Sequence, residues 1–369
     1  MQFSADTVCI FSIFELHIER VLKAENLASN MGRKKCTIPI YVMTSAINDE
    51  IIKENFKSNN FFGYDEKSIF FFQQGLEPCL SLDEKLIIAS RDSLAMAPDG
   101  NGGVYDAMLK SGALENMQSR GVKHLHIYGI DNVLTKSADP LFIGACIDRN
   151  VQVGNKVVWR AGEFEKVGTT VSLNGRMKVI EYTEIPPDLA EATDSDKKFV
   201  FGAANICNHY LSMEFLQALI PSLQRFYHLA AKKIPYYDPN LKREVKPDKN
   251  NGIKLEMFIF DVFPRAERWL VAEVPREDEF APVKNGPGSK SDSPETARAL
   301  VSSQAKRWLE KAGASFRIGS DSSNMCEISA AVSYCGEGLE EYSGQVVPLP
   351  TYIKSAEPSM DVTCSCTVQ

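Results

Sequence analysis

Residues 38–74 read IPIYVMTSAINDEIIKENFKSNNFFGYDEKSIFFFQQ, and this stretch decides the fold class. Its two ends, IPIYVMTS at 38–45 and SIFFFQQ at 68–74, are apolar runs of strand length, suited to a sheet covered on both faces. Between them, 48–59 is polar and rich in helix formers. A strand, a helix and a second strand at this spacing predict parallel neighbours joined by a helical crossover.

The alternation continues in both directions. Upstream, Phe14, Ile18, Val21 and Leu22 recur at helical spacing between charged residues, which predicts a helix over 11–31. Downstream, 104–120 has helical character, HLHIYGID at 124–131 reads as a strand, and Pro140 suits the first turn of a helix reaching Asp148. The expected fold is therefore α/β, with a doubly wound, mostly parallel sheet.

Past residue 150 the pattern changes. VGTTVSLNGRMKVIEYTE holds Asn174-Gly175 between alternating runs, a strong hairpin signal. Strands are expected at 198–206 and 269–274, a helix at 213–229, and a buried segment at 253–263. KNGPGSKSDSPET, 284–296, reads as a connection, so the expected organisation is a core over 1–286 and a small α+β domain over 287–369 that begins with a helix near 296–312.

Composition bounds the function. The chain has 369 residues, 44% hydrophobic and 24% charged, with a formal net charge of -7. That charge gives no long-range attraction to nucleic acid or to an anionic membrane, so an anionic ligand must be held by local cations and amides. Nine cysteines lie scattered without a paired framework, which fits a reducing compartment. The apolar run TVCIFSIF lacks a preceding basic segment and leads into Glu15, Glu19 and Arg20, so neither a signal peptide nor a membrane span is expected, and the cytoplasm is the expected location. Cys364-Ser365-Cys366 has no second ligand pair nearby and is assigned no metal. The sequence carries no sign of oligomeric state.

Ligands of doubly wound sheets sit at the carboxyl ends of the strands. That rule selects Gln73, Gln74, Asp131, Asn132 and the loop in MAPDGNGGVYDAM, 96–108, to which Glu181-Tyr182, Asn205, Lys254 and Lys284 can be added. Glycines let backbone amides approach a flat base or a phosphate, an aspartate at a strand tip can bind Mg²⁺, and lysines act as point charges for phosphate. The same residues also have plain readings: Asp131 as a cap, Asn205 as a tie between strands, the lysines as solvated, the glycines as turns. His124 and His126 share a strand face, a spacing zinc sites use, but without a third ligand they read as packed histidines. From the residues alone, the chain is a nucleotide-binding α/β protein.

Several long strings carry a more specific signal: FFFQQG, MAPDGNGG, YGIDNVLTKSADPLFIG, VIEYTEI, NICNHY, KPDKNNGIKLEMFIFD, REDEFAPVKN and CEISAAVSYCGEGLE. In this order they resemble the eukaryotic UDP-N-acetylglucosamine pyrophosphorylases, uridylyltransferases with a Rossmann-like nucleotidyltransferase sheet. The resemblance implies that UTP and N-acetylglucosamine 1-phosphate are converted to UDP-N-acetylglucosamine and pyrophosphate, with Mg²⁺. It places Gln74 and Gly100 at the uracil, Asn101 at the sugar, and Asp131 near the α-phosphate as the metal ligand. It assigns Glu181, Tyr182 and Asn205 to the hexosamine, with Lys254 and Lys284 as the catalytic cations. It leaves the N-acetylgalactosamine epimer open.

The family's phosphate loop, of the form LxGGxGTRLG followed by Pro-Lys, does not occur in these residues. The expectation is a working enzyme whose loop lies upstream of the matching strings. The competing expectation is a homologue that binds UDP-sugar without turning it over.

Overall fold

The computed structural model describes residues 12–32, 34–162, 165–318 and 323–354. Most of TVCIFSIF and the Cys364-Ser365-Cys366 tail lie outside the described residues. The chain divides into two compact units, one made of Met1–Cys36, Ile130–Ala138 and Pro275–Gln369, the other of Thr37–Gly129 and Asp139–Val274.

In the second unit the 38–74 reading holds. Strands Ile40–Thr44 and Ile69–Gln73 pair in parallel, with the helix Asp49–Ser58 between them in the chain. The large sheet differs from expectation. Its order is Trp269–Glu273, Val153–Trp159, Ala203–Ser212, Thr169–Leu173, Arg176–Ile180, with His124–Tyr128 also pairing with Ala203–Ser212. Trp269–Glu273 pairs with Val153–Trp159 in parallel, whereas Ala203–Ser212 is antiparallel to all three of its neighbours, so the mostly parallel sheet is corrected to a mixed one.

One antiparallel pair has a local cause in the hairpin. Asn174 and Gly175 both take positive φ, 51° and 76°, and turn Thr169–Leu173 back on Arg176–Ile180 without a crossover. The core of this unit gathers Phe72, Tyr105, Met177, Leu211, Leu216 and Phe263. Two helical expectations shorten. The 104–120 stretch breaks at Gly112 into Val104–Lys110 and Ala113–Ser119, and the helix from Met213 stops at Leu219 because Pro221 follows. Residues 228–232 are instead a strand paired with Gly252–Glu256.

The first unit is built on two helices. Ile13–Gly32 confirms the upstream reading, and Pro294–Lys311 starts at Ser293, whose hydroxyl accepts from the Thr296 amide while the Thr296 hydroxyl accepts from the Ser293 amide. Val133, Leu134, Ala281 and Ala297 form one buried cluster, which is why 130–138 and 275–283 belong with the terminal helices. A second cluster, Ala305, Leu309, Cys326, Leu339, Val347 and Leu349, lies beneath two short parallel strand pairs. The last segment of this unit begins at Pro275, and the expected boundary at 286 lies inside it. The 284–296 stretch is a hydrogen-bonded loop, with the amides of Lys284 and Asn285 both donating to Asp292 O at 2.8 Å.

Candidate functional site

The glycine loop is bound tightly to two neighbouring segments. Strand Met96–Pro98 pairs with Leu76–Pro78, and the Gln74 side-chain amide donates to Asp99 Oδ1 at 3.1 Å and to Gly100 O at 3.2 Å. On the other side, Met257 N–H donates to Asp99 O at 2.8 Å and Gly102 N–H donates to Met257 O at 2.9 Å. Asn101 Oδ1 accepts from the Ile259 amide at 2.9 Å. Gln74, Gly100 and Asn101, separated in sequence, therefore meet as expected.

The need for bare backbone has a direct cause. Gly100 has φ +88°, and a Cβ there would lie 2.8 Å from Met257 N and closer still to Met257 O. A Cβ on Gly102 would lie 2.7 Å from the Phe258 backbone nitrogen. Gly75 and Gly103 instead make room for the Asp99 carboxyl, whose acidity burial weakens, so its pKa stands above the usual 3.8. Lys254 lies on Gly252–Glu256, the strand that runs into this clasp, and its charge acts on the buried Cys79 thiol.

Glu181, Tyr182 and Asn205 occupy a second cluster of the same unit. Gly168 lies at its centre: the Asn205 amide donates to Gly168 O at 2.8 Å, and a Cβ on Gly168 would be 3.1 Å from Glu181 Oε1. Glu181 O accepts from the amides of Glu184 and Ile185, which closes a turn carrying the half-exposed Tyr182. Asn205 sits where the long strand bulges: its register shifts between Asn205 and His209, and Cys207 takes φ +53°. Such a bulge re-aims side chains at a strand end. Asn205 Oδ1 accepts from the Cys207 amide at 3.3 Å, which stabilises the bulge.

Asp131 and Lys284 belong to the first unit, where they are brought side by side. Val283 N–H donates to Asp131 O at 2.9 Å, and Asn132 bridges to Pro282. Burial raises the pKa of Asp131 above 3.8, Lys284 opposes that shift, and Asp292 adds to it. The pair is organised by Asn132, 2% exposed, whose Oδ1 accepts from Ala281 N at 2.8 Å and Leu134 N at 3.3 Å and whose Nδ2 donates to Glu279 O at 2.7 Å. Asn132→Ala leaves these buried backbone groups unpaired, and urea unfolding is expected to show a loss of about 2–3 kcal/mol; a change under about 0.5 kcal/mol would deny Asn132 this role.

The chain is similar to known proteins over most of its length. A family described as UTP–glucose-1-phosphate uridylyltransferase matches residues 12–328. The chain belongs to this family. Its similarity extends to the human UDP-N-acetylhexosamine pyrophosphorylase-like protein 1, at 41% identity over 90% of this chain and 68% of that protein. The UDP-N-acetylglucosamine pyrophosphorylase of Saccharomyces cerevisiae is 39% identical over 91% of this chain and 70% of its own length. The uridine diphosphate N-acetylglucosamine pyrophosphorylase of Trypanosoma brucei, solved with an inhibitor, superposes with TM-score 0.82 and 30% identity over 96% of this chain and 75% of that one.

All the candidate residues, Gln74 to Lys284, fall inside the uridylyltransferase-family match. The two histidines singled out by spacing are packed in strand pairs. His126 is held neutral, its pKa lowered by burial to about 4, and bonds Asn208 Oδ1 at 2.7 Å; His124 bonds the Tyr210 hydroxyl at 2.7 Å. The second unit of this uridylyltransferase-family chain also has a cavity of about 450 Å³ lined by His124, Tyr210, Met213 and Arg268, at the strand ends remote from Asn205.

Sequence reasoning missed the segment 225–228. Arg225 meets Asp106 and Glu77, Tyr227 donates to Glu77, and the His228 ring lies between Glu184 and Asp261. The available signal was Pro221, which ends the preceding helix and frees 223–228 to run across these elements.

Proposed function

We propose that this chain carries the substrate site of a uridylyltransferase that joins UTP and N-acetylglucosamine 1-phosphate into UDP-N-acetylglucosamine and pyrophosphate. The observation that carries this reading is the glycine loop, clasped between Gln74 and Met257, in the same unit as the Glu181 and Asn205 cluster around Gly168. The first arrangement offers a pyrimidine a ledge of backbone free of side chains. The second offers a carboxylate for sugar hydroxyls and an amide for an acetamido group. The parallel pair at 40–44 and 69–73 with its helical crossover supports a Rossmann-like nucleotidyltransferase core.

The chemistry is in-line attack by a sugar-phosphate oxygen on the α-phosphorus of UTP, with pyrophosphate leaving. It requires positioning and charge neutralisation, not a protein nucleophile. Lys254 would neutralise phosphate charge, and Asn101 would orient the sugar. Asp131 fits Mg²⁺, since a carboxylate whose burial disfavours its charge gains from a cation, and Mg²⁺ accepts one or two carboxylates with phosphate and water as its other ligands. The ion would add positive charge at the phosphates.

The pyrophosphorylase names of relatives near 40% identity favour the enzyme over a non-catalytic UDP-sugar binder. The thiols of Cys36, Cys79, Cys146 and Cys326, not joined in disulfides, support a cytoplasmic setting. Among the described residues no helix is long and apolar enough to cross a membrane. Calorimetry with UDP-N-acetylglucosamine is expected to give a Kd between about 1 μM and 1 mM, with UDP-glucose weaker and ADP-glucose undetectable. No heat with the first ligand, or equal binding of the ADP-sugar, would overturn the reading.

A further inference from the structure

We infer that His228 is a positioning residue that holds the sugar-binding turn against the uridine loop. The inference rests on the substrate assignment above, and it adds a residue which that assignment does not contain. His228 starts the strand His228–Lys232, and its ring packs at a tilt of 31° on Phe258 with centroids 4.3 Å apart. Nδ1 lies 2.8 Å from Glu184 Oε1 and Nε2 lies 2.9 Å from Asp261 Oδ1.

Each acceptor leads to one half of the site. Glu184 sits in the turn whose first residue is Glu181, closed by the bonds from Glu184 N and Ile185 N to Glu181 O. Asp261 accepts from the Phe258 amide at 2.8 Å, in the segment whose Ile259 amide is bound by Asn101. A single ring therefore connects the turn bearing Glu181 and Tyr182 with the segment that clasps Gly100 to Gly102. The residues just before it reinforce the connection: Arg225 reaches Asp106 at 2.5 Å on the helix that follows the glycine loop, and Tyr227 donates to Glu77 at 2.7 Å.

A neutral imidazole can donate only one of the two bonds, whereas the imidazolium donates both. Burial alone would lower the pKa of His228, but the two carboxylates outweigh it and raise the value above 6.5. The charged groups around the ring are Glu184 and Asp261, Glu256 opposite it in the strand register, and Arg225 earlier in the chain. Because the folded pKa is raised, the pair of hydrogen bonds is fully present below pH 6.5 and is lost as the pH rises through the folded value.

The test is calorimetry on wild type, His228→Ala and Glu184→Ala with two probes, UDP-N-acetylglucosamine and UDP. His228→Ala is expected to bind the sugar nucleotide about tenfold more weakly and UDP within about twofold of wild type. Glu184, on a half-exposed turn, gives the same selectivity with less risk to folding. Wild-type affinity for UDP-N-acetylglucosamine, whose diphosphate diester does not titrate in this range, is expected to fall as pH rises above 6.5, and that of His228→Ala to stay flat. Equal losses for both probes, no loss in either variant, or the same pH profile in wild type and His228→Ala would overturn the inference. Failure of wild type to bind UDP-N-acetylglucosamine would instead overturn the substrate assignment.

Discussion

Gly100→Ala is expected to lower affinity for UDP-N-acetylglucosamine by at least about a hundredfold while the protein remains folded. Two independent costs fall on the same atom. Gly100 has φ +88°, a conformation that strains any residue with a Cβ, and the added methyl would sit 2.8 Å from Met257 N and closer to Met257 O. These are backbone atoms already committed to the Asp99 and Gly102 bonds, so no side chain can swing away. The loop must leave Met257, which moves Gly100 O away from the Gln74 amide and Asn101 Oδ1 away from Ile259 N. Unfolding in urea should register a loss of about 2–3 kcal/mol, and calorimetry the loss of binding. Affinity within about twofold of wild type would show that the loop's shape is not what recognises the nucleotide.

Lys156→Met is expected to be the most destabilising single change in the sheet, by about 3–5 kcal/mol. Lys156 is 1% exposed and its ammonium lies 2.5 Å from Asp139 Oδ2. Asp139 also caps the helix Pro140–Asp148, accepting from Leu141 N at 3.0 Å and Phe142 N at 3.4 Å. Removal of the lysine strands an ionised carboxylate among buried side chains. The double variant Lys156→Met/Asp139→Asn keeps an N-cap acceptor and carries no charge, so it should recover most of the loss.

The acid limb of the stability profile gives a second readout. Burial pushes the Asp139 pKa up, but Lys156 and the capping amides outweigh it and hold the group below 3.8. Its contribution is therefore present above pH 3.8 and is lost as pH falls through the depressed folded value. In the double variant that part of the acid dependence should vanish. A single-variant loss under about 1 kcal/mol would mean that the pair behaves as an exposed one.

Local signals in the sequence carried much of this structure. The crossover at 38–74, the proline-initiated helix at 140–148 and the turn at Asn174-Gly175 are each written in a few adjacent residues, and each is found where expected. What was not legible depends on partners distant in sequence. Nothing within 203–212 says that its neighbours all run against it, and the strand–helix alternation that implies a parallel sheet does not govern the hairpin half.

The site divides in the same way. Gln74, Gly100 and Asn101 were selected from their strings and do meet, as do Asp131 and Lys284 within the other unit. His228 is missed because the expected helix over 213–229 runs past Pro221 and takes in a residue that the fold places in a strand. The glycines were expected to clear space for a ligand. In the fold they first clear space for Met257, Phe258 and Asp99, a requirement no local pattern reveals.

A crystal structure with UDP-N-acetylglucosamine shows where the nucleotide sugar sits. Uracil is expected hydrogen-bonded at Gln74 and the Gly100 backbone, and the acetamido sugar within reach of Glu181 and Asn205. Nucleotide sugar bound instead in the cavity lined by His124, Tyr210 and Arg268, with the glycine loop untouched, would contradict that placement.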